Sequence, residues 1–189
     1  MKLVVGLGNP GRRYADTRHN VGFRVIEELA RRYGAGGSRS RFHGELTEAM
    51  WDGVRILLLC PHTYMNRCGV SVLGARDFYR IDNTNLLVVC DDFNLPLARL
   101  RIRAKGSSGG QKGLEDIIRC LGTEQFPRLR IGIGPPPDGW DVADFVLSKF
   151  SSDELSAINV ATVRAADAVA MWAEEGIENC MNQYNAAGE

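Results

Sequence analysis

Gly6-Leu7-Gly8-Asn9-Pro10-Gly11 runs on into Tyr14, Thr17, Arg18, His19 and Asn20, so an amide, a phenol and an imidazole share one connection. His19 is one of only three histidines in the chain. Such a set suits attack by water on a carbonyl. A carboxylate that accepts one ring N–H of a histidine fixes its tautomer and leaves the other nitrogen free to take a proton from water. Asp91 follows the apolar run Leu86-Leu87-Val88-Val89-Cys90 and is the candidate partner. Asp92 beside it would face the other way, because successive side chains of a strand alternate. Tyr64-Met65-Asn66 adds a second amide on another strand-end loop, and an amide both donates and accepts. A lone histidine or loop asparagine is ordinarily structural. Polar groups that all follow strands, however, stand where open α/β sheets bind ligands.

A second set is cationic. Arg99, Arg101 and Arg103, with Lys105 following, alternate with Leu100, Ile102 and Ala104, which lines the cations along one strand face at roughly 6–7 Å intervals. Like charges with no acids between them repel one another, and a phosphate backbone would relieve that. Lys105 and Lys112 flank Gly106-Ser107-Ser108-Gly109-Gly110, a loop whose N–H groups also suit anions, although the order is not that of a P-loop. Gly6-x-Gly8-x-x-Gly11 formally matches the dinucleotide fingerprint, but Pro10 intervenes and the helix is delayed to Asn20. The helix N-terminus that a pyrophosphate needs is therefore missing, and no nucleotide cofactor is expected.

These residues require elements to hold them. Residues 2–7 read as a first strand, expected to be buried on both sides. Asn20 is expected to cap a helix whose Phe23, Ile26, Leu29 and Ala30 recur at helical spacing as far as Gly34, followed by a loop over 34–40. Asp52-Gly53 is a hairpin turn between strands 46–51 and 54–59. A helix over 69–80, strands over 85–90 and 99–104, a helix over 112–121 and a strand over 129–133 follow. Pro135-Pro136-Pro137-Asp138-Gly139 is a stiff loop. From Ser151 the pattern is helical, with Leu155, Ile158, Thr162, Ala165, Val169 and Trp172 on one side. The expected fold is one α/β domain over residues 1–189, a twisted mixed β-sheet flanked by helices.

Composition limits the classes of function. Of 189 residues, 44% are hydrophobic and 24% charged, as in ordinary globular domains. No apolar run reaches the length of a membrane span, and no secretory signal is expected. Cys60, Cys68, Cys90, Cys120 and Cys180 are scattered and odd in number, with no C-x-x-C pair, so neither disulfides nor a zinc site is expected. Free thiols fit a cytoplasmic location. Net charge is zero, yet residues 99–130 hold eight cations against three acids, while seven acids face one base from 151 onward. Contact with a polyanion would be local.

Asn9-Pro10-Gly11, Tyr14-x-x-Thr17-Arg18-His19-Asn20-x-Gly22, Tyr64-Met65-Asn66, Asp91-Asp92-x-Asn94-Leu95-Pro96 and Arg128-Leu129-Arg130-Ile131-Gly132-Ile133-Gly134 together resemble bacterial-type peptidyl-tRNA hydrolase. The resemblance runs in order along essentially the whole chain. It implies hydrolysis of the ester between a peptide and the terminal ribose of tRNA, recycling tRNA from aborted translation. It further implies a monomer that uses no metal or other cofactor, with peptidyl-tRNA and tRNA as partners. By position, His19 resembles the catalytic base and Asp91 the carboxylate that orients it. Asn9 and Asn66 resemble amides that position the peptidyl part and the attacked carbonyl. Tyr14 resembles the residue at the tRNA end of the site and Met65 an apolar wall, with Tyr64 beside it in the substrate site. Arg103 and Arg130, assisted by Lys105, fall where the family contacts tRNA phosphates.

Two departures stand out. Where the family usually has Gly-Gly-His-Asn-Gly, this chain has Gly109-Gly110-Gln111-Lys112-Gly113, and Cys90 replaces a common histidine. Lys112 cannot accept a hydrogen bond, but its ammonium can stabilise an oxyanion or grip the terminal phosphate of the substrate. The rival class is a non-catalytic RNA-binding relative, such as the chloroplast group II intron splicing factors, and Lys112 gives it some force. Retention of Asn9, His19, Asn66 and Asp91 weighs against it, because a binding module has no physical need for all of them.

Overall fold

The structure, a computed structural model, describes residues 1–34 and 36–186. Residues 35 and 187–189, which belong to the expected loop over 34–40 and to the expected domain over 1–189, lie outside the described residues. Four strands run parallel at the centre: β1 (Lys2–Gly6), β4 (Val54–Pro61), β5 (Leu86–Asp92) and β7 (Arg128–Gly132). Antiparallel strands extend both sides, β2 (Arg39–Arg41) and β3 (Gly44–Trp51) next to β4, and β6 (Leu100–Arg103) beyond β7. The full order is β2-β3-β4-β1-β5-β7-β6, a mixed sheet of the expected class. From β1 the chain moves to one side as far as β4, then crosses to β5 on the other. The carboxyl ends of β1, β4 and β5 thus frame a switch point, where such sheets leave a crevice.

Helices cover both faces. α1 (Val21–Tyr33), α5 (Ser152–Glu175) and α6 (Ile177–Ala186) lie on one, α2 (Gly69–Phe78) and α3 (Lys112–Leu121) on the other. Val4, Leu87 and Val89 pack with Val25, Leu29 and Trp172, while Leu3, Val5 and Val88 pack with Val72, Leu114 and Ile117. Apolar partners on both faces explain why β1 and β5 are unbroken hydrophobic runs. Asp52 and Gly53 both take positive φ, 42° and 77°, as a two-residue hairpin turn requires.

The structure departs from the sequence expectation in several elements. Strand β2 occupies part of the expected loop, and a short helix α4 (Val142–Val146) follows the proline run. The last helical stretch breaks at Gly176 (φ 88°), which separates α5 from α6. Asn20 stands at the N-cap position of α1, but a 3-10 turn over Arg18–Asn20 leads into the helix and the Asn20 side chain makes no capping bond. Among the described residues, no helix is long and apolar enough to cross a membrane.

Candidate active site

Close packing of α1 against the sheet brings the site together. A Cβ at residue 22 would stand 2.5 Å from the Leu7 nitrogen and 2.6 Å from the Val89 oxygen, so only glycine lets α1 begin directly on the ends of β1 and β5. The turn before it therefore presses His19 against the end of β5. Arg18 anchors the same turn from outside. Its guanidinium meets both oxygens of Glu154, at 2.9 and 2.8 Å, and stacks over Phe145 and Phe150. Glu154 also accepts from the Ser151 nitrogen at 2.7 Å and so completes the capping box of α5. The hydrogen bonds from Arg18 are the main reason its carboxyl lies below the usual range.

His19 Nδ1 lies 2.9 Å from each oxygen of Asp91, and the two residues are only 8% and 1% exposed. An ionised carboxylate only accepts, so Nδ1 carries the proton and Nε2 keeps its lone pair. Burial by itself pushes the imidazole pKa down. The charge of Asp91 and its hydrogen bond together outweigh this, and the net shift is upward.

Asn9 is fixed by two partners. Its backbone N–H donates to Asn20 Oδ1 at 2.8 Å, and Asn20 Nδ2 donates back to the Asn9 carbonyl at 2.9 Å. That reciprocal pair occupies the amide that would otherwise have capped α1. Asn9 Oδ1 accepts from the Met65 nitrogen at 2.8 Å, which leaves Nδ2 as the end of the amide available to the cleft. Gln111, to which the sequence assigns no role of its own, is 5% exposed. Its Oε1 accepts from the Leu114 nitrogen at 2.8 Å and caps α3, while Nε2 donates to Asp91 Oδ1 at 3.0 Å. The available signal was its place immediately before a strongly amphipathic helix.

These groups open on a cleft of about 610 Å³, lined by Asn9, His19, Asn66, Asp91 and Lys112. Phe93, Val142, Val146 and Leu147 form its apolar side, so the unforeseen α4 supplies a wall. Met65 is buried at the base, and Tyr64 is exposed at the rim with Tyr14 edge-on to it, ring centroids 6.3 Å apart. The Lys112 side chain is 69% exposed and its Nζ lies 3.0 Å from Glu115. Among the described residues, no group of three His, Cys, Asp or Glu side chains could hold a metal ion.

Comparison with known proteins decides the family. A sequence profile for peptidyl-tRNA hydrolase matches residues 3–189. The chain belongs to the peptidyl-tRNA hydrolase family. A peptidyl-tRNA hydrolase of Rhodopirellula baltica is 53% identical over 187 residues, covering 99% of this chain and 98% of that one. One from Chloroflexus aggregans is 48% identical, covering 98% and 99% of the two chains. A crystal structure of peptidyl-tRNA hydrolase from Acinetobacter baumannii superimposes with a TM-score of 0.92 at 38% identity, over 98% of this chain and 95% of that one. The chain is accordingly an enzyme, a hydrolase of peptidyl-tRNA.

The cations that the resemblance assigns to tRNA phosphates fall into two environments in this hydrolase. On β6, Leu100 and Ile102 point inward and Arg101 and Arg103 outward, with Lys105 exposed just beyond. Among the described residues, none of these three cations has an ion-pair partner. Arg130 is only 9% exposed. One of its terminal nitrogens lies 3.0 Å from Asp92, and the other donates to the carbonyls of Ser107 and Ser108, both at 2.9 Å. It shares a sheet face with Arg101, its register partner on β6, but there its donors hold a loop to β5. Arg128 does the same with the carbonyls of Gly106, Ser107, Glu124 and Phe126. Burial, with the neighbouring charge of Arg130, pushes its guanidinium down to about 10.

Proposed function

We propose that the enzyme cleaves the ester of peptidyl-tRNA by general base catalysis, with His19 as the base. Nε2 takes a proton from a water lying between the imidazole and the ester carbonyl, and that water's oxygen forms the new bond to carbon. Asp91 keeps the proton on Nδ1 and balances the imidazolium that develops. Asn9 Nδ2, its amide oriented by Met65, donates toward the oxyanion. Collapse of the tetrahedral intermediate expels the ribose oxygen, which recovers a proton from His19. Asn66 and the apolar wall hold the peptidyl part, while Tyr14 and Tyr64 flank the side from which the tRNA terminus enters. Lys112 reaches the same cleft as a point charge suited to the terminal phosphate. Arg103 and Lys105 meet the phosphate backbone outside it. The enzyme works as a monomer.

The observation that carries this reading is the buried His19–Asp91 pair with the second ring nitrogen left to the cleft. A protein that only bound RNA would have no use for it, which favours catalysis over the binding-module alternative. Peptide release from purified peptidyl-tRNA is the test. His19→Ala is expected to lower kcat by about 10²–10⁴ with tRNA affinity unchanged. A variant that kept most of the activity would overturn the proposal.

A further inference from the structure

Asp91 is almost wholly buried, and a buried carboxylate stays ionised only where hydrogen-bond donors replace the water it has lost. His19 Nδ1 is one donor. Among the described residues the only other side-chain donor to Asp91 is Gln111, whose Nε2 lies 3.0 Å from Oδ1. We infer that Gln111 is a positioning residue of the hydrolase: its amide acts through Asp91, holding that carboxylate aimed at His19. The inference rests on the general-base reading above.

The orientation of the Gln111 amide is settled by its surroundings. Its Oε1 takes the Leu114 N–H that the start of α3 leaves unpaired, at 2.8 Å, so the nitrogen must face Asp91. Nε2 also lies 3.2 Å from Met65 Sδ, whose backbone N–H holds Asn9. One side chain therefore joins the cap of α3, the carboxylate and the residue that orients the cleft amide. The backbone that carries it is anchored as well, because Arg128 and Arg130 grip the carbonyls of Ser107 and Ser108 just upstream. A Cβ at Gly113 would stand 2.6 Å from Met65 Sδ and 3.0 Å from Gln111 Oε1, so any side chain there would displace the two groups that meet beside Asp91.

An amide does not titrate, so this donation persists at every pH at which the enzyme works. The other charged groups nearby are matched or distant from the bond. Arg130 pairs with Asp92 on the opposite face of β5, Arg18 pairs with Glu154, and Lys112 pairs with Glu115. Asp141 lines the cleft wall, where its carboxylate accepts from the Ala143 nitrogen of α4. Removing the Gln111 donor leaves the charge of Asp91 less satisfied, and it then draws the His19 proton more strongly. The effect falls on the protonation of the base, which loss of a helix cap alone would not alter.

Gln111→Glu separates the two roles. It keeps an acceptor for Leu114 but sets an oxygen beside Asp91 where a donor stood. Gln111→Met removes both bonds with little change in volume. Peptide release would be followed for both variants, the wild type and His19→Ala from about pH 5 to 9. Both Gln111 variants are expected to lose about tenfold or more in kcat with KM nearly unchanged. Their kcat/KM limb should move to higher pH by about one unit, more for Gln111→Glu because a second negative charge beside Asp91 further favours the imidazolium. If Gln111→Glu fails to fold, the Gln111→Met limb decides. Limbs at the wild-type position with kcat within about twofold, while His19→Ala is inactive, would overturn the inference alone. Activity surviving in His19→Ala would instead remove the general-base reading, and this inference with it.

Discussion

The cleft and the outer face of β6 treat polar groups in opposite ways. In the cleft, Asn9, His19, Asp91 and Gln111 are each tied to a named partner and mostly hidden from solvent. Along β6, Arg101, Arg103 and Lys105 stand in solvent with no partner among the described residues. Fixed groups need no rearrangement when charge develops on the substrate, which is what the chemical step requires. Unpaired cations supply attraction that tolerates many backbone geometries but weakens in salt. Under the proposed function, the molecule separates a rigid reaction centre from an adaptable electrostatic one.

The sharpest way to break the comparison is in the cleft. Asp91→Asn presents an amide that can donate to His19 Nδ1 and so favours the tautomer with the proton on Nε2. The base is then lost, and kcat should fall on the order of 10³-fold. The pH behaviour carries a definite sign. Burial lowers the His19 pKa, but Asp91 raises it further than burial lowers it, so the wild-type kcat/KM should rise through a limb above the ordinary histidine value. In Asp91→Asn only burial remains, and the residual limb should move to lower pH. Stability should respond through the same group. Protonated His19 favours the fold below the histidine pKa of the unfolded chain, and that contribution is lost as pH rises through the raised folded value. Asp91→Asn should abolish that loss. Denaturant titrations on either side of the window check it, and an unchanged difference would contradict the assignment.

Arg130 sharpens the comparison, because it lies directly opposite Arg101 of β6 yet is buried and bonded to Asp92 and to two loop carbonyls. Arg130→Gln removes a charge from a buried pair, takes the guanidinium from Asp92 and leaves the Ser108 carbonyl without its side-chain donor. Breaking such a pair from one side costs about 3–5 kcal/mol, measured by denaturant unfolding. A loss of tRNA affinity with stability intact would return Arg130 to the phosphate-binding group.

Arginines look alike in a sequence whether they face water or an interior carbonyl, so the burial of Arg130 is not legible there. Other features were legible because their cause is local. The Asp52-Gly53 turn, the buried runs of β1 and β5 and the amphipathic faces of α1, α3 and α5 follow from spacing and backbone preference. The opposite facing of Asp91 and Asp92 follows from strand alternation alone. Asn20 has the residue type and the position of a cap, while its side chain bonds the backbone of Asn9 across a loop. Five-residue α4 is too short to show periodicity, yet it forms a wall of the cleft. Gln111 uses its two ends in different directions, and only the folded chain reveals the second.

The smallest expected effect belongs to the exposed strip. Arg101→Glu with Arg103→Glu should leave kcat and stability almost untouched, since both side chains point outward from β6 and neither pairs with an acid. The change should appear in binding. KM for a full-length peptidyl-tRNA should rise roughly tenfold at moderate salt, and the slope of log affinity against log salt should fall by about one for each phosphate contact removed. A substrate cut back to the terminal nucleotide and its peptide should not sense the pair at all, because it fills the cleft without reaching β6. Equal losses on both substrates would mean that the strip also shapes the cleft, and the division between the two regions would fail. A loss confined to the full-length substrate, and erased by added salt, would place recognition of the tRNA body on the exposed cations of β6, outside the cleft.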